Sequence, residues 1–273
     1  MNTKHLFLLI TGCLVLTGCA SNPFGSYKDT SDAQFTKIYN GQLSTAMQAK
    51  ETPDILYNME YGSLMRLNQQ YQASNIYFNR AQQVIDIWAN SWATTTAGEI
   101  STTTVSMLLN DNAQAYQAKG YEKTFLATYY AMNQLALNSF DNARVEIKRM
   151  YEIEQATQNF NAVLYNKQAI ESEKQRQDDT SNALYKQILQ KYDFSDVNSP
   201  QVLALKNSYQ NAFSHYLAGF VFEALNEPSL ARPGYVKSGQ LNPTNTLIQQ
   251  SIDNIDNGVR PKPGFTDLLL VSS

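Results

Sequence analysis

Residues that commonly build active sites are scarce in this sequence. Its 273 residues include two histidines and two cysteines, and 21 basic side chains stand against 24 acidic ones. No HExxH pair and no paired Cys/His spacing offers ligands for zinc. A GxSxG turn, a GxGxxG fingerprint and a Gly-Lys-Ser/Thr phosphate loop are also missing. Sequence-independent nucleic-acid binding needs many basic side chains, and no basic tract is present. We therefore expect no catalytic site, no bound metal or cofactor, and no nucleic-acid partner.

The N-terminus has the pattern of a bacterial lipoprotein signal. Lys4 precedes an apolar run of 11 residues from Leu6 to Leu16. A run of this length fits a secretory signal and is too short for a membrane-spanning helix. It ends in Leu16-Thr17-Gly18-Cys19, which resembles the lipobox, in which the cysteine is acylated with diacylglycerol before cleavage. The alternatives are an ordinary cleaved signal or an N-terminal helix.

Lipidation of Cys19 accounts for the cysteine content. Cys13 leaves with the signal peptide, residues 1–18, so Cys19 is the only thiol of the mature chain. We expect it to carry diacylglycerol and an N-acyl chain, since two or three acyl chains anchor a protein stably at about 0.8 kcal/mol per buried methylene. Ala20 and Ser21 follow, without the aspartate that signals inner-membrane retention. The sequence predicts a lipidated tether over 19–30 and an outer-membrane location facing the periplasm, in a diderm bacterium.

Proline and glycine are rare over residues 54–199, as expected for long helices. No proline falls between residues 54 and 199, and only Gly62, Gly98 and Gly120 interrupt that stretch. A β-sandwich of this size needs many more turn residues. We predict an all-α domain over 31–257, followed by a short non-helical, extended tail over 258–273. The predicted helices span 31–50, 53–68, 70–88, 121–137, 139–176, 180–192, 201–226, 229–241 and 244–256.

Pairs of these helices fit the tetratricopeptide unit, a helical hairpin of 34 residues. Small residues at positions 8, 20 and 27 let its two helices approach, and large residues at positions 11 and 24 fill the space between them. These five positions hold Gly62, Met65, Ser74, Phe78 and Ala81 in one segment, Ala131, Gln134, Ala143, Ile147 and Met150 in a second, and Gly219, Phe222, Ala231, Tyr235 and Ser238 in a third, which also has Pro243 at position 32. The segments start at uneven intervals. We therefore predict tetratricopeptide-like hairpin repeats in an irregular α-solenoid, with an irregular α-bundle as the alternative.

The apolar spacing within single helices agrees with this. Phe125, Tyr129, Met132 and Ala136 recur at i, i+4, i+7 and i+11. Such spacing places all four side chains on one helical face. We interpret that face as one that packs against a neighbouring helix.

Motifs over roughly residues 31–245 resemble a poorly characterised family of bacterial tetratricopeptide-like outer-membrane lipoproteins. After the lipobox, the resemblance is carried by Leu56-Tyr57, Glu60-Tyr61-Gly62, Tyr121-Glu122-Lys123, Tyr129-Tyr130-Ala131-Met132-Asn133, Ala143-Arg144-Val145-Glu146-Ile147-Lys148-Arg149, Tyr209-Gln210-Asn211-Ala212-Phe213 and Leu217-Ala218-Gly219. Members are often encoded beside small lipoproteins that resemble activators of peptidoglycan synthases. The resemblance implies an envelope role by association. Longer members continue into a strand-forming region, whereas here Leu268 to Val271 either docks on the helices or is the start of such a region.

The tetratricopeptide pattern also predicts a binding groove. Positions 2, 5, 9, 12 and 13 of each first helix line the concave side of the repeats. They include Met59, Ser63 and Arg66 in the first repeat, and Tyr216, Phe220 and Glu223 in the third. Aromatic and charged side chains there could hold an extended peptide or a helix of another protein. The alternative is that residues such as these pack on the next repeat.

Three further features could be functional or structural. Arg144, Lys148 and Arg149 form a short basic stripe, either a solvated helix face or a ligand site. The polar insert from Ser91 to Thr104 begins beside Trp88 and Trp92, which are four residues apart. It is a partner-binding loop, an ordinary connection between helices or a Thr-rich helix. His215, the one histidine left after signal removal, falls at position 4 of a first helix, where a packing role is expected.

These features predict a non-enzymatic lipoprotein whose helical repeats scaffold other envelope proteins at the outer membrane. The resemblance points towards cell-wall synthesis. One alternative is a pilotin-like or outer-membrane-assembly lipoprotein. Another is a peptidoglycan-binding or glycan-cleaving protein, since 17 tyrosines could line a saccharide groove. The expected partners are the membrane, reached through the lipid anchor, and envelope proteins of unknown identity.

Overall fold

The structure is a computed structural model that describes residues 32–42, 54–93, 116, 118–175, 205–259 and 269. Every regular element within these ranges is a helix, so the predicted all-α class is confirmed. The chain divides into two compact units, Met1–Lys50 and Glu51–Ser273. None of the helices in the described ranges is long and apolar enough to cross a membrane.

In the first unit, a short helix covers residues 32–39. It ends there because Gly41 adopts a left-handed φ of 73°. The N–H of Gly41 bonds the carbonyl of Ile38 at 3.0 Å, and the N–H of Gln42 bonds that of Lys37 at 2.8 Å. This pair of bonds is the Schellman motif that closes many helices. The predicted helix over 31–50 is therefore interrupted at residues 40–42, and its part over 43–50 lies outside the described residues.

The second unit contains seven helices in the residues that the structure describes. They are α1 (Ile55–Leu67), α2 (Tyr71–Ala93), α3 (Gly120–Ala136), α4 (Phe140–Gln175), α5 (Ala212–Ala224), α6 (Pro228–Leu241) and α7 (Thr246–Asp256). They pair as three hairpins, α1 with α2, α3 with α4 and α5 with α6, and α7 packs on α6. The predicted helix over 180–192 lies outside the described residues.

All three hairpins turn in the same way, which is direct structural support for a repeat. One residue in each turn has a positive φ: Gln69 at 59°, Asn138 at 56° and Asn226 at 58°. The following N–H reaches back to the carbonyl five residues earlier, at 2.9 Å in the first turn and 2.8 Å in the other two. Each turn thus repeats the Schellman geometry and sends the second helix back along the first.

Glycines at the predicted position 8 allow close helix packing in the first and third hairpins. A Cβ on Gly62 would lie 2.4 Å from the ring of Phe78, and one on Gly219 would lie 2.5 Å from the ring of Tyr235. Both rings are almost fully buried. Positions 8 and 24 therefore face each other as the tetratricopeptide spacing predicts.

The hairpins stack in chain order. Helix α2 packs on α3 and α4, and α5 packs on α3 and α4 from the other side. One continuous apolar core runs through the stack, and its fully buried members include Phe78, Ile85, Ile147, Met150, Ile153, Leu217 and Val221. A buried hydrogen bond of 2.6 Å between the hydroxyls of Thr128 and Ser214 joins α3 to α5.

In the second unit two predicted helix boundaries are wrong, and side chains explain both. The helix predicted over 201–226 begins only at Ala212, because the Asn211 carboxamide accepts the N–H of Ser214 at 2.7 Å and caps the helix. Helix α2 runs past the predicted end at residue 88, because Trp92 is buried and its ring meets that of Phe160 at 5.0 Å. At the C-terminal tail, Leu269 packs against the helical core.

Candidate partner-binding face

The first helices of the three hairpins, α1, α3 and α5, lie beside one another with α3 in the middle. We refer to the surface that they share as the first-helix face. The six side chains predicted to line a groove belong to α1 and α5, so α3 separates the two sets. Their placement decides which of them are available to a partner.

Arg66 is the best-placed residue of the α1 set. Its guanidinium lies 5.8 Å from the ring centroids of both Tyr71 and Tyr129, so it is held between two aromatic faces. It also donates a 2.6 Å hydrogen bond to the carboxamide oxygen of Asn133 on α3. Burial lowers the pKa of this guanidinium from its ordinary value. Arg66 therefore joins the first two hairpins before any partner arrives.

Asn133, which Arg66 contacts, is the centre of a buried polar network. It is fully buried, and its amide nitrogen donates to Ser74 Oγ and to Asn75 Oδ1, each at 2.8 Å. Ser74 in turn donates to the carbonyl of Gly62 at 2.7 Å. Buried polar groups with all their partners specify one arrangement of the elements that carry them. This network fixes the register between the first and second hairpins.

The other two predicted residues of α1 take part in packing. Met59 is half-buried against the apolar core, and the hydroxyl of Ser63 donates to the Met59 carbonyl at 2.8 Å. The sequence left open whether Met59 packs or lines a groove. Met59 packs on the core, and the part of its side chain that stays exposed lies on the first-helix face.

The predicted residues of α5 are engaged with α6 and α7. The Tyr216 hydroxyl lies 3.0 Å from Ser251 Oγ of α7, and its ring is 5.2 Å from that of Tyr235. Glu223 accepts a 2.7 Å hydrogen bond from the Tyr235 hydroxyl. Phe220 is half-buried. The α5 side chains are thus held in place by their own hairpin, and their part in binding stays a prediction.

Among the three first helices, α3 carries the most exposed aromatic side chains, and the sequence analysis predicted no groove residue there. Tyr129 is 36% exposed and Tyr121 is 49% exposed, with the half-buried Phe125 between them. The rings of Phe125 and Tyr129 are 5.8 Å apart. The three residues recur every four positions, so they form a ladder on one side of the helix. We refer to Tyr121, Phe125 and Tyr129, with Met132, as the α3 aromatic stripe.

This placement corrects the sequence interpretation of α3. Phe125, Tyr129, Met132 and Ala136 were expected to pack between helices, yet Tyr129 and Ala136 are exposed. The face that α3 buries carries smaller residues, namely Thr124, Ala127, Thr128 and Ala131, which are all fully buried. Small residues permit the close approach of α4 and α5. The spacing of these small residues in the sequence could therefore have identified the buried face.

The basic stripe divides into two paired arginines and one exposed lysine. Arg144 Nη1 lies 2.6 Å from Glu227 Oε1, an ion pair that joins α4 to the start of α6. Arg149 pairs with Glu146 at 2.7 Å and with Asp86 on α2 at 3.3 Å. Lys148 is exposed. Two of the three cations therefore hold hairpins together, and a ligand role for the stripe stays a prediction.

His215 is buried at the junction of the second and third hairpins, as its packing position predicts. Its Nε2 lies 3.2 Å from Glu154 Oε2, and its ring is 5.6 Å from that of Tyr151. Glu154 also accepts a 2.7 Å hydrogen bond from Gln210. Burial, with the charge of Glu154, raises the pKa of Tyr151 well above its ordinary value. Both His215 and Glu154 are nearly inaccessible to solvent, so this pair serves the packing of α4 and α5.

Lys123 is a buried cation that the sequence did not reveal. Its ammonium lies 3.1 Å from the ring centroid of Trp88, and only 8% of the residue is exposed. Burial lowers its pKa from 10.5 to about 7, although the nearby charge of Glu122 opposes the shift. The two residues are 35 positions apart in the sequence, so no local pattern could have paired them.

Comparisons with known proteins add little to this geometry. No protein-family model and no curated protein sequence matches the chain. A solved tetratricopeptide repeat protein from Parabacteroides merdae is similar at 14% identity, over 85% of this chain and 100% of that one, with a TM-score of 0.18. A likeness of this degree carries no argument about the fold. The repeat architecture therefore rests on the hairpin contacts above. Among the residues that the structure describes, no group of three or more His, Cys, Asp or Glu could hold a metal ion.

Proposed function

We propose that this protein is a lipid-anchored scaffold that holds another envelope protein on its first-helix face, at the periplasmic side of the outer membrane. The α3 aromatic stripe is the observation that carries the proposal. A folded helical core normally buries its large aromatic residues, whereas Tyr121 and Tyr129 remain exposed on the middle hairpin. The anchor rests on the lipobox that ends at Cys19.

The stripe has the composition of a protein-binding site. Tyrosine and arginine dominate the residues that contribute most to protein interfaces. Here Tyr129 lies against Phe125 on one side and against the guanidinium of Arg66 on the other. Because Arg66 is itself fixed by Asn133, little side-chain freedom is left to lose on binding. Such preorganisation favours affinity for an apolar helix or an extended segment laid along α3.

The stripe lies on the middle of the three first helices, so a partner bound there could contact all three hairpins. Met59 on α1 and Phe220 on α5 are both half-buried on the helices that flank α3. A partner that extends from Tyr129 across α1 and α5 would contact these side chains. The six groove residues predicted from the sequence would then form the two sides of the site, with the stripe between them.

Affinity purification with matched variants tests this proposal. We expect the lipidated chain to retain an envelope protein in cells, and Tyr129→Ser to lose it because the centre of the stripe is removed. Val145→Ser is the control, since Val145 is 50% exposed on α4, away from the first helices. Enrichment of a peptidoglycan synthase or its activators would support the cell-wall role. Equal retention by both variants would contradict binding at the first-helix face.

A further inference from the structure

The short helix over residues 32–39 exposes an apolar face. Phe35 is 68% exposed and Tyr39 is 83% exposed, and the half-buried Ile38 stands between them in sequence. Residues at i, i+3 and i+4 share one side of a helix. Ala33 lies on the opposite side, almost half a turn away from the centre of this face. We refer to Phe35, Ile38 and Tyr39 as the apolar face of this helix.

A helix of eight residues is stabilised when its apolar face is buried. Isolated helices shorter than about 12–15 residues are marginal in water, because nucleation is costly. The ends of this one are closed by local contacts, the Thr36 hydroxyl donating to the Asp32 carbonyl at 2.8 Å and Gly41 ending the helix. Caps supply only part of the required free energy. Burial of two aromatic rings and an isoleucine would supply much more.

The predicted anchor places a lipid surface within reach. Twelve residues separate Cys19 from Asp32, counting positions 20 to 31. A chain of that length spans at most about 40 Å when extended. If flexible, it averages about 20 Å from end to end. The membrane that holds the acyl chains of Cys19 would therefore be available to the helix at high effective concentration.

We infer that this helix lies along the phospholipid surface, with Phe35, Ile38 and Tyr39 at the boundary between headgroups and acyl chains. Aromatic rings favour that boundary, and a tyrosine there keeps its hydroxyl in the polar layer. Amphipathic helices bind in this orientation with the apolar face buried. The inference rests on the proposed lipid anchor. It gives the protein a second membrane contact beside the lipid.

Fluorescence quenching of single-cysteine variants tests the inference. Because Cys19 carries lipid, a cysteine introduced elsewhere is the only reactive thiol of the mature chain. The full lipidated chain, with Tyr39→Cys or Ala33→Cys, is labelled with an environment-sensitive dye. It is then reconstituted into phosphatidylethanolamine–phosphatidylglycerol vesicles that contain nitroxide lipids. We expect several-fold stronger quenching and a blue-shifted emission for the label at position 39, with little change at position 33.

Vesicle flotation separates the two possible failures. If the protein floats with the vesicles but neither label is quenched, the lipid anchor stands and the inference is wrong. In that case a protein surface, of this chain or of a second copy, is the remaining occupant. Equal quenching at both positions would also overturn the inference, because the helix would have no preferred face. If the protein does not float, the proposed anchor fails and the inference fails with it.

Discussion

Two glycines in α6 are expected to respond in opposite ways to replacement by alanine. Alanine is favoured over glycine in a helix interior by about 1 kcal/mol, and both positions lie within Pro228–Leu241. A Cβ on Gly234 would lie 2.7 Å from the backbone nitrogen of Gly219 and 2.9 Å from the carbonyl oxygen of His215. A Cβ on Gly239 would lie 3.4 Å from Ile252 and 3.6 Å from Ile248, which is ordinary contact.

The magnitudes follow from these contacts. At Gly234 the new methyl group meets backbone atoms of α5, which cannot rotate away as a side chain can. Overpacking of this kind costs about 1–3 kcal/mol or more, and separation of α5 from α6 would add the loss of buried contacts. We expect Gly234→Ala to lower the free energy of unfolding by about 2 kcal/mol after the propensity gain. Gly239→Ala should raise it by up to about 1 kcal/mol.

Urea denaturation followed by circular dichroism measures both variants against the wild-type chain. The slope of the transition should stay unchanged, so that the shift of the midpoint reports stability alone. The comparison within one helix cancels general effects of adding a methyl group. If Gly234→Ala is as stable as Gly239→Ala, the close approach of α5 and α6 described here is wrong.

Three further predictions concern the polar network, the buried lysine and the anchor. Asn133→Leu removes three hydrogen bonds, one of them to a charged group, and should cost about 3–5 kcal/mol in urea denaturation, whereas the exposed Asn142→Leu should cost under about 0.5 kcal/mol. A loss below about 1 kcal/mol for Asn133→Leu would contradict the network. Because burial holds the pKa of Lys123 at about 7 against 10.5 when unfolded, the folded chain binds fewer protons between these values. The stability of the wild type relative to Lys123→Met should therefore rise from pH 7 to pH 10 by up to about 1.4 kcal/mol per unit, and a pH-independent difference would refute the burial of a cation. Cys19→Ser should move the protein from the membrane to the soluble fraction of cells, and persistence in the membrane would contradict lipidation.

Much of the fold could be predicted because helix signals are local. The absence of proline from 54 to 199 and the spacing of small residues placed α1 at 53–68, against the observed Ile55–Leu67. The hairpin partners Gly219 and Tyr235 followed from the repeat spacing and do face each other. The start of α5 was predicted too early, at residue 201, because apolar spacing does not show where a helix is capped. The cap depends on the conformation of one side chain, that of Asn211.

The candidate site was harder to predict because it depends on contacts between hairpins. Periodicity found the stripe that contains Phe125 and Tyr129, but it could not say which side of α3 faces its neighbours. The orientation of α3 depends on the close approach of α4 and α5 to its small residues, which lie on the side away from the stripe. Arg66 and Asn133, 67 positions apart, meet only after two hairpins have stacked. Sequence spacing within one helix carries no information about such a pair.

Site-specific photo-crosslinking tests the central claim most directly. A photoreactive amino acid replaces Tyr129 on α3 or, as the matched control, Val145 on α4, both of which are exposed on the folded chain. If the first-helix face holds a protein partner, ultraviolet light on living cells will produce a discrete higher-mass adduct from position 129 and none from position 145. The partner can then be identified by mass spectrometry. Absence of an adduct at position 129, or the same adducts at both positions, would contradict the proposed scaffold.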